Sequence, residues 1–196
     1  MKPRQGAAAS AVALFLFCSG ALGADAAAGQ KKAAVCAACH GEGGNSMNPA
    51  VPSLAGQPAQ AIETQLFQFR EGNRKDAQMS PMAANLSNAD INDLAAYFSS
   101  VKPPPPKHRT SPENAKLGAE LTKKFNCTQC HGPALLGQQQ MPRLAGQQAE
   151  YLRAQLKGFK ASTRADMDGN MTSAAQPLSD KDIEVLADYA AGLGAQ

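Results

Sequence analysis

Two stretches of the chain carry apolar residues at the three- and four-residue spacing that defines one face of an α-helix. Their apolar positions are Ile91, Leu94, Ala95 and Phe98 in the first stretch and Ile183, Leu186, Ala187 and Ala190 in the second. Each stretch follows a Ser that is succeeded three residues later by an Asp, which is the pattern of a capping box at a helix start. We therefore expect helices that start at Ser87 and Ser179 and bury these apolar faces in the core.

Three further segments are predicted to be helical, at residues 26–39, 58–71 and 113–130. The second of them has a Pro in its first turn and a Gly directly after its end, the usual punctuation of a helix. Gly29 and Gly118 are small enough to let another helix cross closely. The sequence therefore predicts an all-α fold.

The first 23 residues have the composition of an export signal. Lys2 and Arg4 precede a nearly continuous apolar run, and small residues at 21–23 suit a signal peptidase. We predict cleavage that starts the mature chain near Ala24 and discards Cys18, and hence a periplasmic protein. The alternative is an uncleaved anchor, since the run approaches the ~20 residues that span a bilayer. No later stretch is that long and apolar, so we expect the mature protein to be soluble or only peripherally attached to a membrane.

The chain repeats itself with an offset of about 90 residues. The segment Pro-x-Leu-Ala-Gly-Gln at 52–57 recurs at 142–147, and Leu-Ser-x-x-Asp-Ile at 86–91 recurs at 178–183. Such self-similarity predicts two copies of one domain, and the proline run between them predicts a short, stiff spacer. The predicted segments are a signal peptide at 1–23, a first domain at 24–102, a proline linker at 103–106 and a second domain at 107–196.

The four cysteines that follow the export signal fall in two identical motifs of the form Cys-x-x-Cys-His. The motif residues are Cys36, Cys39 and His40 in the first copy and Cys127, Cys130 and His131 in the second. This spacing is the attachment signal for c-type haem. Two thiols on one helical turn can bond the two vinyl groups of a porphyrin, while the next residue offers its imidazole to the iron. The sequence therefore predicts two covalently bound haem c groups, each with a proximal histidine on the iron.

Three other roles for the cysteine pairs are open to the sequence. A single four-thiolate zinc site would have to bridge the 87 residues between Cys39 and Cys127 and would leave both histidines without a role. A thioredoxin-type redox pair needs a strand–helix–strand context, which the surrounding pattern does not show. Two local disulfides would suit an oxidising compartment but again leave the histidines unexplained. Two motifs in matching contexts favour haem over all three.

Methionine is the natural second axial ligand, a pairing that raises the reduction potential of a haem. The one histidine outside the motifs, His108, lies in a polar linker where we expect it to be solvated. The repeat superposes Met79 on Met171, each seven residues before a Leu-Ser helix start, and pairs no other methionines. We therefore predict Met79 and Met171 as the distal ligands. The remaining methionines are expected to fill gaps in the core: Met47, Met82, Met141 and Met167.

With these features the chain resembles the dihaem cytochrome c4 family. The resemblance rests on the paired Cys-x-x-Cys-His motifs, the Leu-Ala-Gly-Gln segments, the Met before Leu-Ser and the closing Leu-Ala-x-Tyr helix, and it spans the whole mature chain. It implies two tandem class I cytochrome c domains, each wrapped around one haem, in a periplasmic electron donor to terminal oxidases. It also implies that His40 and Met79 ligate the first iron, and that His131 and Met171 ligate the second.

Composition and ligand set together favour a one-electron carrier that is not an enzyme. Without Lys2 and Arg4 the chain has 17 basic against 16 acidic residues, a balance that does not indicate nucleic-acid binding. The predicted redox partners are proteins, such as a quinol-oxidising complex as donor and a terminal oxidase as acceptor.

Two alternatives to a mobile carrier stay open. One is a fixed cytochrome subunit of a membrane dehydrogenase or oxidase complex. The other is a dihaem enzyme, such as a peroxidase or a sulfur-compound dehydrogenase. An enzyme needs an open iron site and groups that handle protons, for which the sequence offers no spare histidine.

Overall fold

The computed structural model describes residues 23–194. Residues 1–22 and 195–196 lie outside the described part, and with them nearly all of the predicted export signal. The α-helices of the described part, in chain order, are α1 (Ala26–Lys32), α2 (Ala37–His40), α3 (Ala59–Arg70), α4 (Met79–Ala83), α5 (Asn88–Ser100), α6 (Pro112–Lys124), α7 (Cys127–His131), α8 (Ala149–Lys160), α9 (Asn170–Ala175) and α10 (Asp180–Gly192). Short 3-10 segments lie at Ala33–Val35, Glu42–Gly44 and Pro133–Leu135.

The helices form two units with the same order of elements. In the first unit α1 and α3 pack against α5, and in the second α6 and α8 pack against α10. This correspondence confirms the predicted all-α fold with two tandem domains. The chain between α5 and α6 contains no helix, and the limits 24–102, 103–106 and 107–196 stay predictions. Within residues 23–194, every helix is too short or too polar to cross a bilayer.

Each unit has its own apolar core, centred on the helix that closes it. All eight apolar positions predicted from helical spacing are buried. The face of α5 packs against Ala33 and Ile62, whereas Ile183 on α10 is fully buried and belongs to a cluster with Leu121 and Phe159. The predicted core faces are therefore confirmed in both units.

Both closing helices begin at the predicted capping boxes. The Ser87 hydroxyl accepts a hydrogen bond from the Asp90 amide at 3.1 Å, and the Asp90 carboxylate accepts one from the Ser87 amide at 2.9 Å. Ser179 and Asp182 form the same pair of bonds, also at 3.1 and 2.9 Å. Hydrogen bonds from Lys32 and Ser87 hold the pKa of Asp90 well below its usual range. Because Lys32 lies on α1, its ion pair with Asp90 at 2.7 Å also ties α1 to α5.

The two helices predicted to lead into the cysteine motifs are each interrupted before the motif. In the first unit α1 ends at Lys32, and a 3-10 turn separates it from α2. In the second unit α6 ends at Lys124, and Asn126 adopts a left-handed conformation with φ of 54°. Asparagine tolerates this conformation, and apolar spacing gives no sign of it. The break gives each motif a short helix of its own.

Gly29 and Gly118 mark the points at which the leading helix of each unit meets the closing helix. A Cβ atom on Gly29 would overlap the carbonyl oxygen of Asp93, and one on Gly118 would overlap the side chain of Tyr189. We expect Gly29→Ala and Gly118→Ala each to lower the free energy of unfolding by about 1–3 kcal/mol, because backbone or a packed ring has to move. Chemical denaturation of the holoprotein, followed by circular dichroism, measures this loss.

The matched control is Gly194→Ala, since nothing lies within 4 Å of a Cβ atom at that position. Its free energy of unfolding should stay within about 0.5 kcal/mol of the wild-type value. Wild-type stability in both Gly29→Ala and Gly118→Ala would show that the helices do not cross as closely as described.

Candidate functional site

Each Cys-x-x-Cys-His motif lies at the end of a short helix, and its histidine is the last residue of that helix. His40 closes α2 and His131 closes α7, and the two residues are only 6% and 4% exposed. Gly41 and Gly132 come next, both with a φ of 76°, a value that favours glycine and stops each helix directly after its histidine. The two units therefore place one buried imidazole at the same point of the fold.

A backbone carbonyl fixes the orientation of each imidazole ring. The Nδ1 atom of His40 lies 2.8 Å from the carbonyl oxygen of Pro52, and that of His131 lies 2.9 Å from the carbonyl oxygen of Pro142. Because a carbonyl oxygen only accepts, Nδ1 donates and carries the proton. Burial lowers the pKa of both histidines, although the proline carbonyls act in the opposite direction. The favoured form is a neutral ring with a free lone pair on Nε2, which is the form that binds a metal.

The Nε2 atom of His131 is buried and has no hydrogen-bond partner within residues 23–194. Leaving a buried polar nitrogen without a partner costs about 1–3 kcal/mol. Coordination to iron would satisfy this lone pair. An imidazole that is held at Nδ1, beside two thiols of the same motif, therefore fits the proximal side of a c-type haem.

All four motif cysteines are free thiols. Cys36 and Cys127 are half-buried, and burial raises the pKa of both, whereas Cys39 and Cys130 are exposed. In the described part of the chain, no group of three or more His, Cys, Asp or Glu side chains is placed to hold a metal ion. Neither the local disulfides nor the shared zinc site is formed, and both thiols of each pair are left to react with a cofactor.

Met79 and Met171 occupy equivalent positions in the two units. Met79 is the first residue of α4 and Met171 the second residue of α9, and both are half-buried. The amide of Met79 donates to Asp76 Oδ1 at 2.8 Å, and the amide of Met171 donates to Asp166 Oδ2 at 2.7 Å. Sequence reasoning missed these two aspartates, although they are 90 residues apart and the repeat marks them. The role of the methionines as iron ligands stays a prediction.

The two units meet through a pair of glutamine side chains that the repeat also relates. Gln57 donates from Nε2 to the carbonyl oxygen of Arg143 and accepts at Oε1 from the Arg143 amide, both at 2.9 Å. Gln147 makes the same two bonds with Ser53, at 2.9 and 2.8 Å. Ser53 and Arg143 are themselves 90 residues apart, so each unit offers the same groups to the other. The sequence marks these glutamines as repeat landmarks without indicating their partners.

A second set of contacts between the units has the same symmetry. Arg74 donates to the Gln155 side chain at 3.1 Å and to the Tyr151 hydroxyl at 3.2 Å. Arg164, which is 90 residues after Arg74, donates to the Gln65 side chain at 3.3 Å. The interface is therefore built largely from polar side chains that recur at the repeat offset.

A family model for cytochrome c matches the chain twice, at residues 26–102 and 115–193. Cytochrome c4 from Pseudomonas aeruginosa is 40% identical over 179 residues, which cover 86% of this chain and 89% of that protein. The chain belongs to the cytochrome c4 family. A reduced recombinant cytochrome c4 from Pseudomonas stutzeri has a TM-score of 0.81 at 39% identity, with 87% of this chain and 99% of that chain covered. This cytochrome is therefore a dihaem electron carrier of the c4 type, with one covalently attached haem c in each domain.

A relative with a different description also matches this cytochrome along most of its length. It is a thiosulfate dehydrogenase electron acceptor from Thiomonas intermedia, which is 38% identical over 177 residues. The match covers 84% of this chain and 81% of that protein. Relatives of this cytochrome therefore include proteins with different named redox roles.

Three arginines at the interface of this cytochrome form no ion pair within residues 23–194: Arg74, Arg143 and Arg164. Arg143 is 4% exposed and donates to the carbonyl oxygens of Ala145 and Ala55, while its Nε has no partner in the same part of the chain. Burial lowers the pKa of Arg164 to about 10. Arg143 is buried, whereas Arg74 and Arg164 are half-buried. A buried cation is stabilised by an anionic partner, and the carboxylates of a haem are groups of that kind.

Three of the four methionines expected to fill core gaps are exposed. Met47, Met82 and Met167 are 72%, 50% and 65% exposed, so this prediction is wrong for them. Met47 and Met167 lie in loops, and Met82 lies on the five-residue helix α4. The path of the backbone directs these side chains to the surface. Residue type alone does not indicate that direction. Met141 is half-buried.

His108 is exposed, as the polar linker predicts, and it is also paired with a side chain of the second unit. Its Nε2 atom lies 2.6 Å from Asp188 Oδ1 on α10. The nearby Thr110 hydroxyl donates to the Asp188 carbonyl oxygen at 2.8 Å. Both contacts fix the segment before α6 onto the closing helix of the second unit.

Proposed function

We propose that this cytochrome carries single electrons in the periplasm from a donor such as a quinol-oxidising complex to a terminal oxidase. The observation that carries the proposal is the buried imidazole of each unit, held at Nδ1 by a proline carbonyl with Nε2 left for a metal. Because both units have this arrangement, one chain offers two redox centres. An electron can be accepted in one unit and delivered from the other.

Each proposed centre is assembled from the residues of one unit. The proposed sets are Cys36, Cys39, His40 and Met79 in the first unit and Cys127, Cys130, His131 and Met171 in the second. When bound, haem supplies a one-electron couple between Fe(III) and Fe(II). The thiols would hold this group covalently, and the histidine and methionine of each set would ligate its iron. Ligands that are anchored in the same way in both oxidation states would limit rearrangement when an electron is gained or lost.

Ligation by both a histidine and a methionine would leave the iron without an open position, which argues for a carrier and against substrate turnover. A peroxidase or a sulfur-compound dehydrogenase needs a displaceable iron ligand and a proton-handling group beside it. His108 is the one histidine outside the two motifs, and its ring is engaged by Asp188. We therefore propose that the purified cytochrome has no enzymatic activity of its own.

The similarity to the Thiomonas intermedia protein supports a second candidate donor. That relative is described as a thiosulfate dehydrogenase electron acceptor. In this second candidate function, electrons enter this cytochrome from a thiosulfate dehydrogenase instead of a quinol-oxidising complex. A fixed subunit of a membrane complex is a third arrangement, which stable co-purification with that complex would reveal.

Electron-transfer assays separate these candidates. Ferrous cytochrome is expected to be oxidised rapidly by membranes that contain a terminal oxidase. Ferric cytochrome is then mixed either with a quinol-oxidising complex and quinol or with a thiosulfate dehydrogenase and thiosulfate, and the faster reduction identifies the donor. Consumption of peroxide or thiosulfate by the purified cytochrome alone would overturn the carrier proposal.

The exported protein is expected to begin near Ala24 and to contain two covalent haems. The intact mass of the protein from a periplasmic fraction measures both properties. Limited proteolysis beside the proposed linker at 103–106, followed by denaturation, should yield fragments that correspond to the proposed domains 24–102 and 107–196, with one haem on each. A mass that retains residues 1–23, or that lacks two haem increments, would contradict the prediction.

A further inference from the structure

One peptide group in the first unit contacts both the histidine of that unit and a glutamine of the other. The carbonyl oxygen of Pro52 accepts the hydrogen bond from His40 Nδ1 at 2.8 Å. The N–H of the same peptide group belongs to Ser53 and donates to Gln147 Oε1, also at 2.8 Å. A single peptide group thus connects His40 to the second unit.

The second unit repeats this arrangement in the opposite direction. The carbonyl oxygen of Pro142 accepts from His131 Nδ1 at 2.9 Å, and the N–H of Arg143 donates to Gln57 Oε1 at 2.9 Å. Both glutamines are buried, at 6% and 4% exposure. In each glutamine, Nε2 also donates to the carbonyl oxygen of the residue it faces, so the position of Oε1 is fixed.

We propose that Gln57 and Gln147 are positioning residues that set the reduction potential of the haem in the opposite unit. Gln147 acts on His40 through the peptide group between Pro52 and Ser53, and Gln57 acts on His131 through the corresponding group. The proposal rests on the function proposed above, in which both histidines are iron ligands.

The sign of the effect follows from the polarisation of the peptide group. When its N–H donates to a buried glutamine oxygen, the carbonyl oxygen becomes a stronger acceptor, because hydrogen bonds in a chain strengthen one another. A stronger acceptor draws the Nδ1 proton away from the imidazole and makes the ring a more basic ligand. A more basic ligand favours Fe(III) over Fe(II). Each glutamine therefore lowers the reduction potential across the interface.

Leucine variants of the holoprotein test this coupling. Gln147→Leu is expected to raise the potential of the first haem and leave that of the second unchanged, and Gln57→Leu is expected to do the reverse. In ¹⁵N-histidine-labelled ferrous protein, the His40 Nδ1 proton should move upfield in Gln147→Leu, because its hydrogen bond weakens. A redox titration followed by NMR assigns each potential to its haem.

The matched control is Gln148→Leu. The Gln148 side chain donates across the same interface to the Ser46 carbonyl oxygen at 2.7 Å but does not contact a peptide group bonded to a histidine. Both potentials and both Nδ1 protons should stay unchanged in this variant. If Gln147→Leu does not fold, Gln147→Met gives the same test, since methionine keeps the length of the side chain without the amide and should likewise raise the potential of the first haem and move the His40 proton upfield.

Two outcomes would overturn the proposal. Equal shifts of both haems in Gln147→Leu would indicate a general loosening of the interface, and unmoved Nδ1 protons would show that no coupling exists. Ring protons of a histidine bound to ferrous haem are displaced far upfield by the macrocycle. Absence of that displacement for His40 or His131 would reject the ligand assignment itself, whereas normal ring shifts with unmoved Nδ1 protons would reject the role of the glutamines alone.

Discussion

Replacing Cys36 and Cys39 together with serine is expected to give a cytochrome with one covalent haem instead of two. A serine hydroxyl does not form the thioether bond, and His40 alone would hold the cofactor by a reversible bond. A domain of this size buries too little apolar surface to be stable without its macrocycle, so the free energy of unfolding of the first unit should also fall by most of its value. The intact mass should fall by one haem increment, and the haem content per chain should halve.

Serine at Cys127 and Cys130 is the mirror-image control and should remove the other haem. Scanning calorimetry of the two double variants should show the loss of a different thermal transition in each, because the two units have separate cores. Two haems retained in the Cys36→Ser and Cys39→Ser double variant would mean that the motif is not the attachment site.

Features set by a few neighbouring residues could be predicted from the sequence. The capping boxes join residues three positions apart, as in Ser87 and Asp90, and all the required donors and acceptors lie within one helical turn. The apolar faces of α5 and α10 follow from side-chain spacing alone. The close crossings at Gly29 and Gly118 follow from the lack of a side chain.

The break before each cysteine motif could not be predicted in this way. In the second unit the break depends on one backbone conformation, the left-handed Asn126, and in the first unit it is a change from α-helical to 3-10 hydrogen bonding. The roles of Asp76 and Asp166 could not be predicted either, because a carboxylate in a loop has many possible hydrogen-bond partners. That the two aspartates are 90 positions apart becomes informative only when the two methionine loops are compared.

Contacts between the units are the features that local sequence patterns predict least well. Gln57 bonds a residue 86 positions away and Gln147 one 94 positions away. The repeat nevertheless holds a signal, since both glutamines directly follow the same Leu-Ala-Gly segment at a constant offset. A buried amide needs hydrogen-bond partners. In a tandem repeat, a polar residue at such a position is a candidate for a symmetric interface.

Histidine in place of Met79 is expected to lower the reduction potential of the first haem by a sizeable part of the ~0.8 V range that axial ligands span. Met171→His should do the same for the second haem, because imidazole favours Fe(III) and a thioether favours Fe(II). The haem should stay attached, since attachment depends on the cysteines. The loop should also keep its position, because Asp76 holds residue 79 through the main-chain amide. An optical redox titration of either variant should show two well-separated steps.

Alanine variants identify which methionine sulfur reaches each iron. The oxidised wild type is expected to show the weak far-red charge-transfer band of a Met-ligated c-type haem, and half of it should vanish in Met79→Ala and half in Met171→Ala. Met82→Ala and Met167→Ala are the matched controls, because these side chains are 50% and 65% exposed on the same two segments. Both controls should keep the whole band. A weaker band in either control would mean that its sulfur is the ligand and that the assignment from the repeat is wrong for that unit.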